Sequence, residues 1–195
     1  MALAELARIQ PGERALVHAV GSGVGMAALQ IARTLGAWVA VTAGSDWKLE
    51  RAVAMGADVG LNYSNDDFAD ALLSATEGKG VDVALEGVGR ATFPSTIKCM
   101  APMGRVVIYG SPSGARVELD TRHAIFKNLT LYGMAITTQP RTDQTIKLFK
   151  EHGCALLEDG RVKPIIHERF SLQEAGRAHQ MLTDRSVFGK LVLVP

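Results

Sequence analysis

The segment Val17-His18-Ala19-Val20-Gly21-Ser22-Gly23-Val24-Gly25-Met26-Ala27-Ala28 gathers small residues where a β-rich apolar run gives way to a stretch of helical period. A turn of this composition suits a phosphate or pyrophosphate. Glycine lets the backbone approach the anion closely, and the first turn of the following helix offers free N–H groups and the positive end of its dipole. The fit to G-x-G-x-x-G is imperfect. Read from Gly21 and Gly23, the third small residue falls on Met26; read with Gly25 as the third, Val20 and Ser22 take the first two places. Spacing alone therefore leaves a second reading open, a tight strand-to-helix turn without a ligand.

Other chemistries lack their minimum equipment. His18 sits in the apolar run before the turn, where packing is the expected role, and His123, His152, His167 and His179 show no H-x-x-x-H pairing suited to a metal. Cys99 and Cys154 lie far apart, which disfavours a disulfide scaffold or a cysteine-rich zinc site, so no metal is expected. Neither a G-x-S-x-G elbow nor a G-x-x-x-x-G-K-[ST] loop occurs.

The elements that must carry the turn follow from hydrophobic period. Short apolar runs at Ala15 to His18, Trp38 to Thr42, Val59 to Leu61, Val81 to Leu85, Arg105 to Tyr109 and Leu129 to Tyr132 alternate with helical stretches. This pattern predicts an α/β, Rossmann-type, doubly wound parallel sheet of about six strands with helices on both faces. Val24, Ala28, Ile31 and Leu35 mark one helix, ended by Gly36; a second runs from Asp46 to Met55, with Ser45 or Asp46 as N-cap and Gly56 as terminator. Many of the 20 glycines fall where strands empty into loops, among them Gly21, Gly44, Gly87, Gly89, Gly110 and Gly133. Those are the strand ends at which open α/β sheets bind ligands. After Gly133 the sequence predicts a helix from Arg141 to Asp159, a strand from Val162 to Ile166 interrupted by Pro164, a helix from Leu172 to Leu182 and a strand from Lys190 to Val194. The last two strands have no evident place in the first sheet.

The runs Pro11-Gly12-Glu13-Arg14-Ala15-Leu16-Val17-His18-Ala19 and Gly23-Val24-Gly25-Met26-Ala27-Ala28-Leu29-Gln30-Ile31-Ala32-Arg33 resemble the medium-chain dehydrogenase/reductase superfamily. Its zinc-free quinone oxidoreductases and the enoyl reductase domains of polyketide and fatty-acid synthases are the nearest in pattern. The likeness continues through Thr42-Ala43-Gly44-Ser45, Met55-Gly56-Ala57-Asp58, Asn62-Tyr63, Gly80-Val81-Asp82-Val83, Gly104-Arg105-Val106-Val107 and Gly189-Lys190-Leu191-Val192-Leu193. Ser22 stands where such reductases often carry Gly, and Gly21 where they often carry Ala or Ser; both changes keep the turn small.

NAD-specific folds usually place an acidic residue at the end of the second strand, about 20 residues beyond the glycine motif, for the ribose hydroxyls. Here the strand ends in Thr42-Ala43-Gly44-Ser45, and Asp46 lies past its end, where helix capping accounts for it. By resemblance Lys48 and Tyr63 match positions that bind the 2′-phosphate, so NADPH is expected over NADH. The resemblance also sends the nicotinamide to Gly87-Val88-Gly89, Tyr109-Gly110-Ser111 and Met134. The expected cofactor contacts are thus Gly21, Ser22, Gly23, Val24, Gly25, Gly44, Ser45, Lys48, Tyr63, Gly87, Val88, Tyr109, Gly110, Ser111 and Met134. Glu86 reads as a buried structural carboxylate without a proton-transfer role, and no catalytic residue is assigned.

The family fold places a barrel-like catalytic domain before the cofactor domain, and by resemblance Met1 falls at the helix that joins them. Residues 1–160 are expected to form the dinucleotide-binding domain. Residues 161–195 resemble segments that return to that catalytic domain, which would be absent here or supplied by another chain. The expected function is the NADPH-binding domain of an oxidoreductase that passes hydride to a quinone or an enoyl substrate. A stand-alone NADPH-binding or redox-sensing module is the alternative. A homodimer through the Leu129–Tyr132 edge is expected, since a terminal apolar strand offers unpaired backbone groups to a two-fold mate. With 21 Lys and Arg against 20 Asp and Glu, a net charge of +1 and no long like-charge run, no nucleic-acid or membrane partner is expected. No apolar stretch approaches the roughly 20 residues of a spanning helix. Met1 to Gln10 carries Glu5 and Arg8, reading as helix and not as an export signal, and a cytoplasmic location is expected.

Overall fold

In a computed structural model the protein is described over residues 1–65, 67–135, 146–147 and 149–195. After a wide helical turn at Ala2–Leu6, strands and helices alternate as β1 (Arg14–Val17), α1 (Gly23–Thr34), β2 (Trp38–Ala43), α2 (Asp46–Ala54), β3 (Val59–Asn62), α3 (Phe68–Ala75), β4 (Val81–Glu86), α4 (Phe93–Lys98), β5 (Met100–Ile108), α5 (Thr121–Lys127) and β6 (Thr130–Gly133). Six strands form one parallel sheet in the order β3-β2-β1-β4-β5-β6. The order reverses between β1 and β4, and the loops after these two strands flank the crevice where such sheets bind ligands.

The inner strands read as unbroken apolar runs because both faces are covered. Ala15, Val17, Val39, Val41, Val83 and Leu85 go to one core with Met26, Leu29 and Leu49, whereas Leu16, Ala40 and Ala84 go to the other with Phe68, Leu72 and Ile97. The helix stops lie where the glycines foretold: Gly36 (φ +79) follows α1 and Gly56 (φ +100) follows α2, each in the left-handed region that ends a helix without a Cβ penalty. At the amino ends of the strands, Arg14 clamps Asp82 through Nε–Oδ2 and Nη2–Oδ1 contacts of 3.0 Å each. Arg105 ties the Ala7 carbonyl to Glu13.

Several boundaries moved. β5 begins at Met100, before the expected Arg105, because an irregularity that includes Met103 at φ +62 lets the strand pair with β4 on either side of a register shift. The expected strand Val162–Ile166 is corrected to β7, Ile166–Ser171. Pro164 has no N–H to give a ladder, so pairing starts only where the Ile165 carbonyl accepts from Lys190 N–H at 2.9 Å. Of the expected Arg141–Asp159 helix, much lies outside the described residues; the described part holds a wide helical turn at Phe149–Cys154 and α6 (Ala155–Glu158). The Leu172–Leu182 helix is a tight turn at Leu172–Glu174, closed by a Ser171/Glu174 capping box, leading into α7 (Ala175–Thr183). β8 (Lys190–Val194) pairs in parallel with β7 as a separate two-stranded sheet. Among the described residues no helix is long and apolar enough to cross a membrane.

Candidate functional site

The glycine turn sits at the carboxyl end of β1. Ala19 takes a left-handed conformation (φ +50), its carbonyl accepts from Ser22 N–H at 2.9 Å, and Val20 N–H reaches the Thr42 carbonyl of β2 at 3.0 Å. Ser22 is the N-cap of α1, its hydroxyl accepting from Gly25 N–H at 2.9 Å. That leaves the Gly23 and Val24 N–H groups as the open donors of the helix end. Gly25 admits no side chain: a β-carbon there would stand 2.4 Å from the Ala19 carbonyl oxygen and 2.7 Å from Val20 Cα. The helix is thereby held close against the strand end, with its amides over the crevice.

The tail supplies the other side of this turn. Gly189 N–H bonds the Gly21 carbonyl at 2.8 Å, and Phe188 is buried in the core beside Gly21. A β-carbon on Gly23 would lie 2.6 Å from Lys190 Nζ, so the ammonium rests over the turn, and it has no hydrogen-bond or ion-pair partner among the described residues. Two positive potentials, the helix end and an unpaired ammonium, therefore face one space, an arrangement that an anion between them would stabilise. Sequence reasoning placed Lys190 only in a strand. Its distance along the chain from Gly23 hid the contact, and the Gly189-Lys190 pair was the only local signal.

At the end of β2, Gly44 is exposed, and a β-carbon on it would meet Tyr63 Oη and Ser64 Oγ at 3.2 Å each. Tyr63 thus lies beside Gly44. Ser45 occupies the N-cap position of α2 with its hydroxyl not engaged in capping. Asp46 caps nothing with its side chain; its Oδ1 accepts from Asn62 Nδ2 of β3 at 2.7 Å. Lys48 runs past Gly21, its Nζ donating to the Arg185 carbonyl at 2.6 Å and lying 5.3 Å from the Trp47 ring centre. Partial burial, aided by the Arg185 charge, holds its pKa below the ordinary lysine value. Lys48 is therefore drawn to the glycine turn and the tail.

The loops after β4 and β5 interlock. Tyr109 N–H bonds the Glu86 carbonyl at 2.9 Å, Ser113 N–H and Oγ both bond the Val88 carbonyl at 2.9 and 2.7 Å, and Tyr109 packs against Gly87 so closely that no β-carbon fits there. Gly89, at φ +94, lies against Ser111 and the Gly114 carbonyl. Burial and the Glu86 charge push the Tyr109 phenol up to about 12. Met134 N–H bonds the Ile108 carbonyl at 2.8 Å, just beyond β6. Gly87, Val88, Tyr109, Gly110, Ser111 and Met134 thus follow three successive strands at one sheet edge.

His18 and Glu86 are fully buried beneath these loops. His18 Nδ1 and Nε2 each lie 2.8 Å from a hydroxyl, of Thr42 and Thr96 respectively, so the ring is satisfied as a core residue, and burial lowers its pKa. Among the described residues no three His, Cys, Asp or Glu side chains come together as a metal would need. Burial pushes the Cys99 thiol up to about 12.

A parallel sheet in this strand order, with a glycine turn at its switch point opening onto a helix end whose Gly23 and Val24 amides the Ser22 cap leaves free, is the architecture of a dinucleotide-binding domain. The sequence profile of the zinc-binding dehydrogenase family matches residues 23–151, and the chain belongs to that family. Its relatives bear out the resemblance to the medium-chain reductases. It is 31% identical over 194 residues to the 2-haloacrylate reductase of a Burkholderia species, covering 96% of this chain and 57% of that protein. An NAD-dependent alcohol dehydrogenase of known structure is 36% identical with a TM-score of 0.86, covering all of this chain and 54% of that one. The Escherichia coli quinone oxidoreductase solved with NADPH is 30% identical with a TM-score of 0.85, covering 96% of this chain and 58% of that one. The chain spans a little over half the length of these curated relatives. Although the family name carries zinc, the described residues do not fit a zinc site.

Proposed function

We propose that these 195 residues bind a nicotinamide dinucleotide, NADPH in preference to NADH. They would serve as the cofactor-binding part of a reductase delivering hydride to a quinone or an enoyl, α,β-unsaturated carbonyl, acceptor. The observation that carries this reading is the glycine turn, where Gly25 excludes any side chain, Gly23 and Val24 offer open N–H groups and the Lys190 ammonium lies overhead with no partner among the described residues. In this assignment Gly21, Ser22, Gly23, Val24, Gly25 and Lys190 take the pyrophosphate. Gly44, Ser45, Lys48 and Tyr63 take the 2′-phosphate ribose, and Gly87, Val88, Tyr109, Gly110, Ser111 and Met134 take the nicotinamide. The preference for NADPH rests on β2 ending without a carboxylate in Thr42-Ala43-Gly44-Ser45, on Tyr63 against Gly44, and on the family resemblance of Lys48, whose ammonium would have to leave the Arg185 carbonyl to reach the phosphate. The acceptor class rests on relatives named as quinone oxidoreductase and 2-haloacrylate reductase.

Two structural proposals accompany it. Residues 1–160 act as the dinucleotide-binding domain, and residues 161–195 as a tail whose β7–β8 pair, with Ile166, Leu193 and Val194 exposed, takes up a catalytic domain. β6, paired only with β5 and exposed along most of its length, joins a two-fold copy. Titration with NADPH and with NADH, followed by a quinone reduction assay, tests the reading. Tighter binding of NADPH supports it, and failure to bind either overturns it. Binding without turnover, even with a catalytic domain present, would favour a redox-sensing module.

A further inference from the structure

Glu86 is a carboxylate with no exposure and no cation beside it, held where β4 ends and the loop Gly87–Gly89 begins. Its Oε1 accepts from Val88 N–H at 2.8 Å, from Gly89 N–H at 2.9 Å and from Thr92 Oγ1 at 2.9 Å. Its Oε2 lies 2.9 Å from Thr92 Oγ1 and 3.1 Å from Thr96 Oγ1. The nearest ionisable side chain is His18, whose Nε2 is 3.5 Å from Oε2. One proton arrangement that fits these contacts has Thr42 giving its hydroxyl to His18 Nδ1, His18 Nε2–H giving to Thr96, and Thr96, whose hydroxyl also lies 2.9 Å from the Thr92 carbonyl, giving to Glu86. This chain satisfies every member with a neutral histidine and an acceptor-only carboxylate.

A buried acceptor that consumes two consecutive loop amides fixes the path of that loop more tightly than packing alone. Val88 and Gly89 are turned inward, and the same loop is clasped from the other side by Ser113 on the Val88 carbonyl and Tyr109 against Gly87. The contrast with the glycine turn after β1 is chemical. There the helix end leaves N–H groups open to an anion; here Glu86 takes up the Val88 and Gly89 N–H groups, which are therefore not free to bind a phosphate.

We propose that Glu86 is a positioning residue for the nicotinamide end of the cofactor. Its carboxylate sets the Gly87-Val88-Gly89 loop against Tyr109-Gly110-Ser111 and reserves that end of the crevice for the uncharged half of the dinucleotide. The inference rests on the cofactor reading above. It makes reach, not charge, the property that matters: the side chain must span to both loop amides.

The test compares two variants of the 195-residue chain against two ligands, NADPH and adenosine 2′,5′-bisphosphate, which lacks the nicotinamide. Glu86→Asp keeps the charge and shortens the reach; Glu86→Gln keeps the reach and an acceptor oxygen. Glu86→Asp is expected to weaken NADPH about tenfold, on the order of one charge-assisted hydrogen bond, with the bisphosphate unchanged within about twofold. Glu86→Gln is expected to cost NADPH less than about threefold, because an amide oxygen can still accept from Val88 and Gly89. The proposal is overturned if Glu86→Asp weakens both ligands alike, including by no longer folding to bind either. It is equally overturned if NADPH is unaffected or if Glu86→Gln is the more damaging change. If wild-type chain binds neither ligand, the cofactor reading itself fails.

Discussion

Lys48 and Lys190 reach the same glycine turn from different parts of the chain, and their losses should leave different signatures. Lys48, assigned to the 2′-phosphate that only NADPH carries, should on replacement by alanine weaken NADPH by about 1 to 2 kcal/mol and leave NADH almost untouched. Equal losses for the two cofactors in calorimetric titration would remove Lys48 from the phosphate. Lys190, resting over Gly23 without a partner, is assigned to the pyrophosphate common to both. Lys190→Ala should therefore weaken NADPH and NADH by similar factors, with a smaller dependence of affinity on salt than wild type. His18 sets a pH dependence. Burial lowers its folded pKa below the ordinary 6.5, so as pH falls through that value the unfolded chain takes up a proton the folded chain resists. Its contribution to stability is full above the unfolded pKa and lost below it. Urea midpoints should fall on going from roughly pH 7.5 to roughly pH 5.5, and fall less in His18→Gln, where no ring titrates. A His18→Gln slope equal to wild type would assign the acid sensitivity elsewhere.

At the scale of elements, the joint between β1 and α1 is tightly constrained. A methyl group at Gly25 would overlap the Ala19 carbonyl oxygen, and the backbone cannot yield without moving α1 off the strand end. Gly25→Ala should lower stability by about 1 to 3 kcal/mol, the range of overpacked sites, and should also abolish tight cofactor binding. Gly12→Ala makes a useful control: nothing lies within 4 Å of its added carbon, so any loss there comes from its positive φ alone. Unchanged thermal stability of Gly25→Ala would mean that the close approach is not needed. These joints were legible in the sequence because each carries a local device, Gly36 and Gly56 as helix stops and unbroken apolar runs as buried strands. Tyr63 beside Gly44 was legible only through the family resemblance. Three features were not legible because they depend on chain segments far apart: Lys190 over Gly23, the shared acceptor role of Glu86 toward Val88, Gly89, Thr92 and Thr96, and the start of β7. In the last case Val162 and Ile165 looked like strand, yet pairing begins only where β8 arrives, beyond Pro164. The same dependence on a distant partner shifted β5, whose first residues join β4 across an irregularity that no periodicity announces.

For the whole molecule, the six-stranded sheet ends on β6, where Leu131 is exposed and the outer backbone groups face no strand among the described residues. Sedimentation velocity should therefore find a dimer whose population rises with concentration, and proline at Leu131 should shift it toward monomer. A wild-type chain that stays monomeric at every concentration would leave the edge without that role. Turnover is a separate question from binding. Hydride transfer requires the acceptor carbon to be held about 3.5 Å from the nicotinamide and shielded from water, because orientation and a preorganised polar site supply most of the rate. The described residues offer one wall, the interlocked loops after β4, β5 and β6. The chain spans a little over half the length of its relatives, and the β7–β8 pair is exposed at Ile166, Leu193 and Val194. The 195 residues tested alone are thus expected to bind NADPH yet oxidise it slowly with quinone or enoyl acceptors. Adding a catalytic domain, in cis or in trans, should raise turnover by orders of magnitude while changing NADPH affinity only a few-fold, since the phosphate contacts proposed above all fall within this chain. Rapid acceptor-dependent NADPH oxidation by the 195 residues alone would show instead that a complete substrate pocket forms at this sheet edge.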